Sequence, residues 1–261
     1  MEERLLFMKS IKSIAISFLK PLYLVLYALF IVCTAYSSPR WNIRNPYEQV
    51  NWKKHGQYMA NLHTHTTRSD GGLSPQYVVD KYHQLGYQIL ALTDHNEVTY
   101  PWTSFSTMKA SQKSEQKVTD RTLSKENINY ENREPDLLGM ISIQGNEVSS
   151  PNHIASLFND YNRPTNQVDS ALVPIAAKNG LVIINHPGRY TQNARWYSNL
   201  YRKYNHLIGM EIYNNGDRYT NDRHLWDSVL VALAPVRPVW AYSNDDMHSE
   251  KSMGNHKNFQ C

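Results

Sequence analysis

The sequence predicts an α/β fold in which short strands alternate with helices, and three observations predict it. Apolar runs of strand length, such as Gln88–His95 and Leu181–His186, alternate with helical stretches that end at Gly86 or Asn179-Gly180. His, Asp or Glu closes at least four successive strands, and an α/β barrel gathers its active site at such strand ends. The chain has 261 residues, enough for one large α/β domain with a sizeable core. Imidazoles and carboxylates collected at one buried rim would be costly without ions to bind.

Residues 1–37 carry four basic residues against Glu2 and Glu3, so the net charge of +4 leaves +2 for the rest of the chain. That near-neutral body is no argument for a long nucleic-acid partner. Leu22–Tyr36 is an uncharged apolar run of 15 residues with basic residues before it and small residues at Ala35 and Ser37. It reads as a secretory signal peptide, since a spanning helix needs about 20 apolar residues. An uncleaved membrane anchor, lipidation at Cys33 and a buried helix are the alternatives. The two cysteines, Cys33 and Cys261, provide no disulfide framework and no thiolate metal site. Either export reading puts the domain in the periplasm or outside the cell.

Residues 38–57 are a polar lead-in, and 58–261 form the functional domain. Tyr58–His65 is the first strand, and residues two apart share a face, so His63 and His65 can reach one point. Asp70 follows in a loop turned by Gly71-Gly72, and Ser74-Pro75 start a helix over Ser74–Leu85. Gln88–His95 is the second strand; it ends in Asp94-His95, whose side chains point to opposite faces, so only one of the two is expected to ligate. Residues 99–136 are rich in Ser, Lys, Glu and Thr and read as a surface insertion. Met140–Glu147 is the third strand, with His153 six residues on. A helix over Val168–Asn179 leads to strand Leu181–His186, which runs into Pro187-Gly188-Arg189. Arg195–His206 is a helix, Leu207–Tyr213 a strand holding Glu211, Asp222–Ala234 a helix, and Val239–Asn244 the last strand before Asp245-Asp246-Met247-His248.

The candidate metal ligands are therefore His63, His65, Asp70, His95, Glu147, His153, His186, Asp246 and His248. Imidazole with carboxylate suits Zn, Mn or Fe. Arg189 is a candidate for a phosphate oxygen, because arginine makes bidentate contacts to phosphate; Arg68 is a weaker one. His55, His83, His206, His224 and His256 fit no pattern, and Glu211 reads as packing or support behind a ligand.

HxH, then TDHN, then a strand-terminal Glu with a following His, then NHP, then DxH, resembles the motif order of the PHP (polymerase and histidinol phosphatase) family from about Tyr58 to His248. The resemblance implies a distorted (β/α)7 TIM-like barrel with a two- or three-metal cluster. It implies His63, His65, Glu147 and Asp246 on one ion, with Glu147 bridging to a second held by His153 and His186. A third would sit on Asp70, His95 and His248. Asn244-Asp245 stand where the family often has Gly-Ser, and the DxH spacing favours Asp246 over Asp245. Family members usually continue past the 13 residues that follow His248, so a final element of the barrel is expected to be missing.

The chemistry implied is hydrolysis of a small phosphate ester by a metal-activated hydroxide, with Asp246 and Arg189 as catalytic residues. No Ser-His-Asp triad, phosphate-binding glycine loop or dinucleotide fingerprint is present. The alternatives are a phosphodiesterase or nuclease acting on short oligonucleotides, and a metal-binding PHP-like protein without turnover.

Overall fold

The computed structural model describes residues 47–109 and 131–254, with positions 21, 23, 25, 27 and 45. The chain divides into two units, Met1–Gly56 and Gln57–Cys261. The signal-peptide or anchor segment lies outside the described residues apart from four positions, as do 110–130 of the expected insertion and the last seven residues. Among the described residues no helix is long and apolar enough to cross a membrane.

In the second unit, β1 (Ala60–Asn61), β2 (Ile89–Ala91) and β3 (Ile141–Ile143) form a parallel sheet in that order. A second sheet runs β4 (Gly145–Val148), β5 (Ile154–Leu157), β6 (Leu181–Ile184), β7 (Leu207–Asn214) and β8 (Trp240–Asn244). Its first two pairings are antiparallel and its last two parallel. Isolated parallel bridges at Thr64–Met247 and His95–Glu147 connect the two sheets. The helices are α1 (Pro75–Gln84), the short α2 (Pro135–Leu138), α3 (Val168–Ala177), α4 (Ala194–Lys203) and α5 (Asn221–Leu233).

The α/β class expected from the sequence is present, but a closed (β/α)7 barrel is not seen among the described residues. The reason is local. Met140–Glu147, expected as one strand, is two strands in two sheets. Gly145 sits so close to β5 that a Cβ there would press on the Ser156 carbonyl at 2.7 Å and on the Leu157 side chain at 2.8 Å. The connection from β4 to β5 spans only Ser149 to His153; a parallel crossover needs a dozen residues or more, so the chain turns back on itself. The sequence reading missed β5, whose four residues are bounded by turn-forming Pro151-Asn152 and Asn159.

The first strand is also shorter than Tyr58–His65, because side chains replace the ladder. The Leu62 N–H donates to Asn244 Oδ1 at 2.9 Å and the Thr64 N–H to Thr93 Oγ1 at 2.9 Å, while the His65 N–H donates to the Met247 carbonyl at 2.8 Å. The backbone stays tied down without regular pairing partners, and His63 and His65 both end in the site.

Two apolar clusters support this frame. One places Leu172 and Ile175 of α3, Tyr197 and Tyr201 of α4, and Val229 of α5 on β6 and β7. The other places Val78, Val79 and Tyr82 of α1 against Leu90, Met140 and Met247. The described start of the expected insertion packs into this second cluster. Trp102 and Phe105, in a short 3-10 helix over Trp102–Thr107, are fully buried, and Arg133 makes a two-pronged ion pair with Asp80 of α1 at 2.7 Å on each oxygen. Each such aromatic contributes on the order of 1.5–3 kcal/mol by leaving water. Two apolar side chains among many polar neighbours carry too little periodic signal to mark a core segment.

Candidate metal centre

All nine candidate ligands come together, carried on loops that follow β1, β2, β6 and β8, on β4 itself and just ahead of β5. Their ligand atoms fall into four sets, within each of which all lie inside 4.8 Å of one another. These are His65, Asp70, His95 and His248; His63, Glu147 and His186; His63, His65 and Asp246; and His95, Glu147 and His153. Compared with the expected assignment, His65 joins the Asp70 set and His95 also reaches Glu147.

Glu147 is the hub. Its Oε1 lies 3.3 Å from His63 Nε2, 3.2 Å from His153 Nδ1 and 3.1 Å from His186 Nε2. Its Oε2 lies 3.4 Å from His65 Nε2 and 3.2 Å from His95 Nδ1. Asn185 Nδ2 donates to Oε1 at 2.9 Å and steadies it. Asp246 Oδ1 sits 3.3 Å from both His63 Nε2 and His65 Nε2. Asp245 points the other way and accepts from the Tyr82 hydroxyl at 2.7 Å and the Gly254 N–H at 2.8 Å. Of the two aspartates, Asp246 is therefore the one in the site.

Asp94 is buried beside the site but is not in it. Its carboxylate takes the Thr66 N–H at 2.7 Å and the hydroxyls of Thr66, Ser69 and Thr99 at 2.8, 2.7 and 2.5 Å. It thereby shapes the loop that presents Asp70. Gly71 is required in the same loop: a Cβ there would collide with the His65 carbonyl and the Thr66 nitrogen, both backbone. Gly71→Ala is expected to lower stability by roughly 1–3 kcal/mol, measured as a drop in the urea midpoint. An unchanged midpoint would mean the loop has room to give.

Whether this set fits a cation can be judged from its unbonded atoms. His63 Nε2, His65 Nε2, His153 Nδ1 and His186 Nδ1 are buried without a hydrogen-bond partner, although the first three have carboxylate oxygens within 3.4 Å. Buried polar atoms are normally paired. Imidazole nitrogens and carboxylate oxygens that converge in this way are a donor set for divalent cations of the Zn, Mn or Fe kind.

The electrostatics agree. Burial alone would lower the His63 imidazole, but the Glu147, Asp246 and Glu211 carboxylates raise it well above its usual value. For His65 burial is likewise overcome, by Asp246 and Glu147, and its pKa rises to about 10. Burial would raise Glu147 and Asp246, but the imidazoles around them, His63 first, hold both well below the ordinary carboxylate range. Asp70 is held low in the same way by His248, His65 and His95. His95 falls to about 4 because burial there outweighs its carboxylate neighbours. Protons on His63 and His65 thus balance the carboxylates in the metal-free protein, and a cation would take their place.

Arg189 is exposed, with its guanidinium 5.8 Å from the Tyr190 ring centroid, and Tyr190 packs on His153 and His186 at 6.0 and 5.8 Å. Arg218 covers Tyr219 at 5.2 Å, and Tyr219 lies 5.8 Å from His186. The site is thus walled on one side by two Arg–Tyr pairs. Arg68, by contrast, is committed to Glu97 and the Lys109 carbonyl. The sequence reading missed Tyr190, Tyr219 and Asp222, which follow or face the NHP motif without any spacing of their own.

Asp222 of α5 accepts the Gly188 N–H at 2.6 Å through Oδ1, while Oδ2 is buried and unbonded. Burial pushes its carboxyl up to about 7, Glu211 adds to this, and the Gly188 bond partly offsets it. Between its ordinary value of 3.8 and about 7 the unfolded chain releases this proton before the folded one does. Stability therefore falls as pH rises through that window, by on the order of a few kcal/mol. Asp222→Asn keeps the acceptor for Gly188 and is expected to remove this decline in the metal-free protein, read from urea midpoints between pH 4 and 8. Parallel wild-type and variant curves would refute it.

No protein-family model and no curated protein matches the sequence. Solved structures do match by shape. A two-domain protein from Bacteroides vulgatus, whose name includes a PHP-like metal-dependent phosphoesterase assigned by prediction, is 19% identical over 73% of this chain, with a TM-score of 0.48. This chain spans about half, 52%, of that protein's length. An amidohydrolase from Chromobacterium violaceum is 16% identical over 74% of this chain and 88% of its own, with a TM-score of 0.47. A protein from Bifidobacterium adolescentis, provisionally named a metal-dependent phosphoesterase, is 11% identical over 77% of this chain and 92% of its own, with a TM-score of 0.51. The last of these shares the fold of this chain.

Proposed function

We propose that this chain is a metal-dependent phosphoesterase of the PHP type that hydrolyses a small phosphate ester at a centre of two or three divalent ions. One observation carries the reading: five imidazoles stand within 3.4 Å of one buried carboxylate, that of Glu147. The likeness in fold and the motif order from His63 to His248 support it. His63, His65, Asp246, Glu147, His153, His186, Asp70, His95 and His248 would hold the ions. Zn, Mn or Fe bound there would supply Lewis-acid activation of water and of a phosphoryl oxygen.

The chain's own residues do the rest. Glu147 and Asp246 bring negative charge to the centre and fix where the imidazoles point. Arg189, on the turn after His186, orients a phosphate oxygen, and the Tyr190 and Tyr219 rings exclude water from the His186 side. The bridges Thr64–Met247 and His95–Glu147 support a barrel-like closure at the rim that carries the ligands. The apolar run Leu22–Tyr36 would export the domain 58–261 or tether it to a membrane.

The test is a metal count by mass spectrometry on protein purified without chelator, with hydrolysis of p-nitrophenyl phosphate and bis-p-nitrophenyl phosphate assayed on the same sample. Two to three ions per chain are expected, with monoester turnover that His63→Ala/His65→Ala abolishes. Preference for the diester would move the reading to a phosphodiesterase or nuclease. Bound ions without turnover, even after Mn or Zn is added, would make it a binding protein. No bound ion in a folded sample would overturn it.

A further inference from the structure

Glu211 lies in β7, fully buried, and belongs to none of the four ligand sets. Its two oxygens take four donors. Oε1 accepts from His63 Nδ1 at 2.9 Å and Asn244 Nδ2 at 2.8 Å, and Oε2 accepts from the His186 N–H at 2.8 Å and Asn214 Nδ2 at 3.0 Å. Four donors fill the acceptor sites of a carboxylate, which leaves Glu211 no role as a direct ligand.

Two consequences follow from these bonds. A carboxylate only accepts, so the proton of this contact belongs to His63 Nδ1, and Nε2 is the atom turned to Glu147 and Asp246. The second concerns His186, whose backbone sits at φ +29° and ψ 61°, a sparsely populated region for a residue other than glycine. The bond from its N–H to Glu211 holds it there and aims its ring at Glu147. Asn244, through Oδ1, also accepts the Leu62 N–H at 2.9 Å. One buried carboxylate therefore ties the HxH segment, the turn after β6 and the ends of β7 and β8.

We infer that Glu211 is a positioning residue that sets His63 and His186 together, so that the ion positions on either side of Glu147 load as a coupled pair. The inference rests on the metal-centre reading above. Partners behind ligating histidines are typically worth 10–100-fold in metal affinity; here one residue stands behind two ligands.

Zn2+ and Mn2+ competition titrations on the full chain test it. In Glu211→Gln the amide presents an N–H2 to two donors that had an oxygen. Affinity is expected to fall about 10–100-fold at both positions, with the bound-ion count dropping from both at the same concentration. Tyr201→Phe removes a buried hydroxyl bond to the Gly209 carbonyl in the same strand, 2.7 Å long; it is expected to lower the melting temperature and leave Zn2+ affinity unchanged. Nitrogen-15 imidazole spectra of the wild type are expected to show His63 protonated at Nδ1 both without and with Zn2+. Wild-type affinity in a folded Glu211→Gln, or weakening at one position alone, overturns the inference. If that variant does not fold, a bare Nδ1 on His63 in the Zn2+-loaded wild type overturns it. A wild type that binds neither ion defeats the metal-centre reading instead, and a proton missing from His63 Nδ1 in that sample would defeat the Glu211 contact as well.

Discussion

Glu147→Gln is expected to empty the centre of ions and to lower phosphoester turnover by roughly 10^2–10^3-fold, the scale at which a charge-stabilising group is lost from a buried site. Glu147 stands 3.1–3.4 Å from His63, His65, His95, His153 and His186, and it appears in two of the four ligand sets. Glutamine keeps the shape but removes the charge and replaces one acceptor oxygen with a donating N–H2. The metal-free variant is expected to be less stable by about 3–5 kcal/mol at neutral pH, because breaking a buried ion pair leaves its partner uncompensated. The pH window follows from the two sides. The depressed carboxylate contributes above its ordinary value of 4.5 and loses its contribution as pH falls toward its folded value. The raised His65 imidazole contributes fully below 6.5 and loses its share as pH rises toward about 10. The gap between wild type and variant is therefore largest between those ordinary values and narrows on both sides. Ion counting and urea titrations at several pH values check this; a variant that retains its ions would remove Glu147 from the centre.

Loading with Zn2+ or Mn2+ is expected to raise the melting temperature by roughly 5–10 °C at an ion concentration 100 times Kd. A ligand that binds the folded state alone adds about 2.7 kcal/mol there, and a domain of this size gains about 2–4 °C per kcal/mol. A chelator should reverse the shift. Loading should also release protons, on the order of two per chain at neutral pH, because His63 and His65 carry charge in the metal-free protein and must surrender it to bind a cation. Scanning calorimetry and an indicator dye measure the two quantities. A melting temperature indifferent to both ion and chelator would refute a structural role for the centre.

Much of this candidate centre is legible in the sequence alone. Residues two apart on an extended chain share a face, so His63 and His65 had to converge. Ligand types at strand ends pointed to His95, Glu147, His186 and Asp246, the DxH spacing favoured Asp246 over Asp245, and these side chains do converge. Short-range geometry suffices for inferences of this kind, because the ligand and its neighbour belong to one segment.

Contacts between distant segments were not legible. Glu211 meets His63 across 148 positions of sequence, and nothing in LIGMEIY distinguishes a supporting carboxylate from a packed one. Trp102 and Phe105 read as parts of a polar insertion because their partners, α1 and Met140, lie far along the chain. The break at Gln144-Gly145 that parts one expected strand into two sheets depends on how near β5 passes to Gly145. Local pattern records which face a side chain takes and where a helix stops. Which buried acid meets which imidazole depends on how the sheets pack, and that packing placed Glu147 among five histidines while leaving Asp245 bonded to Tyr82.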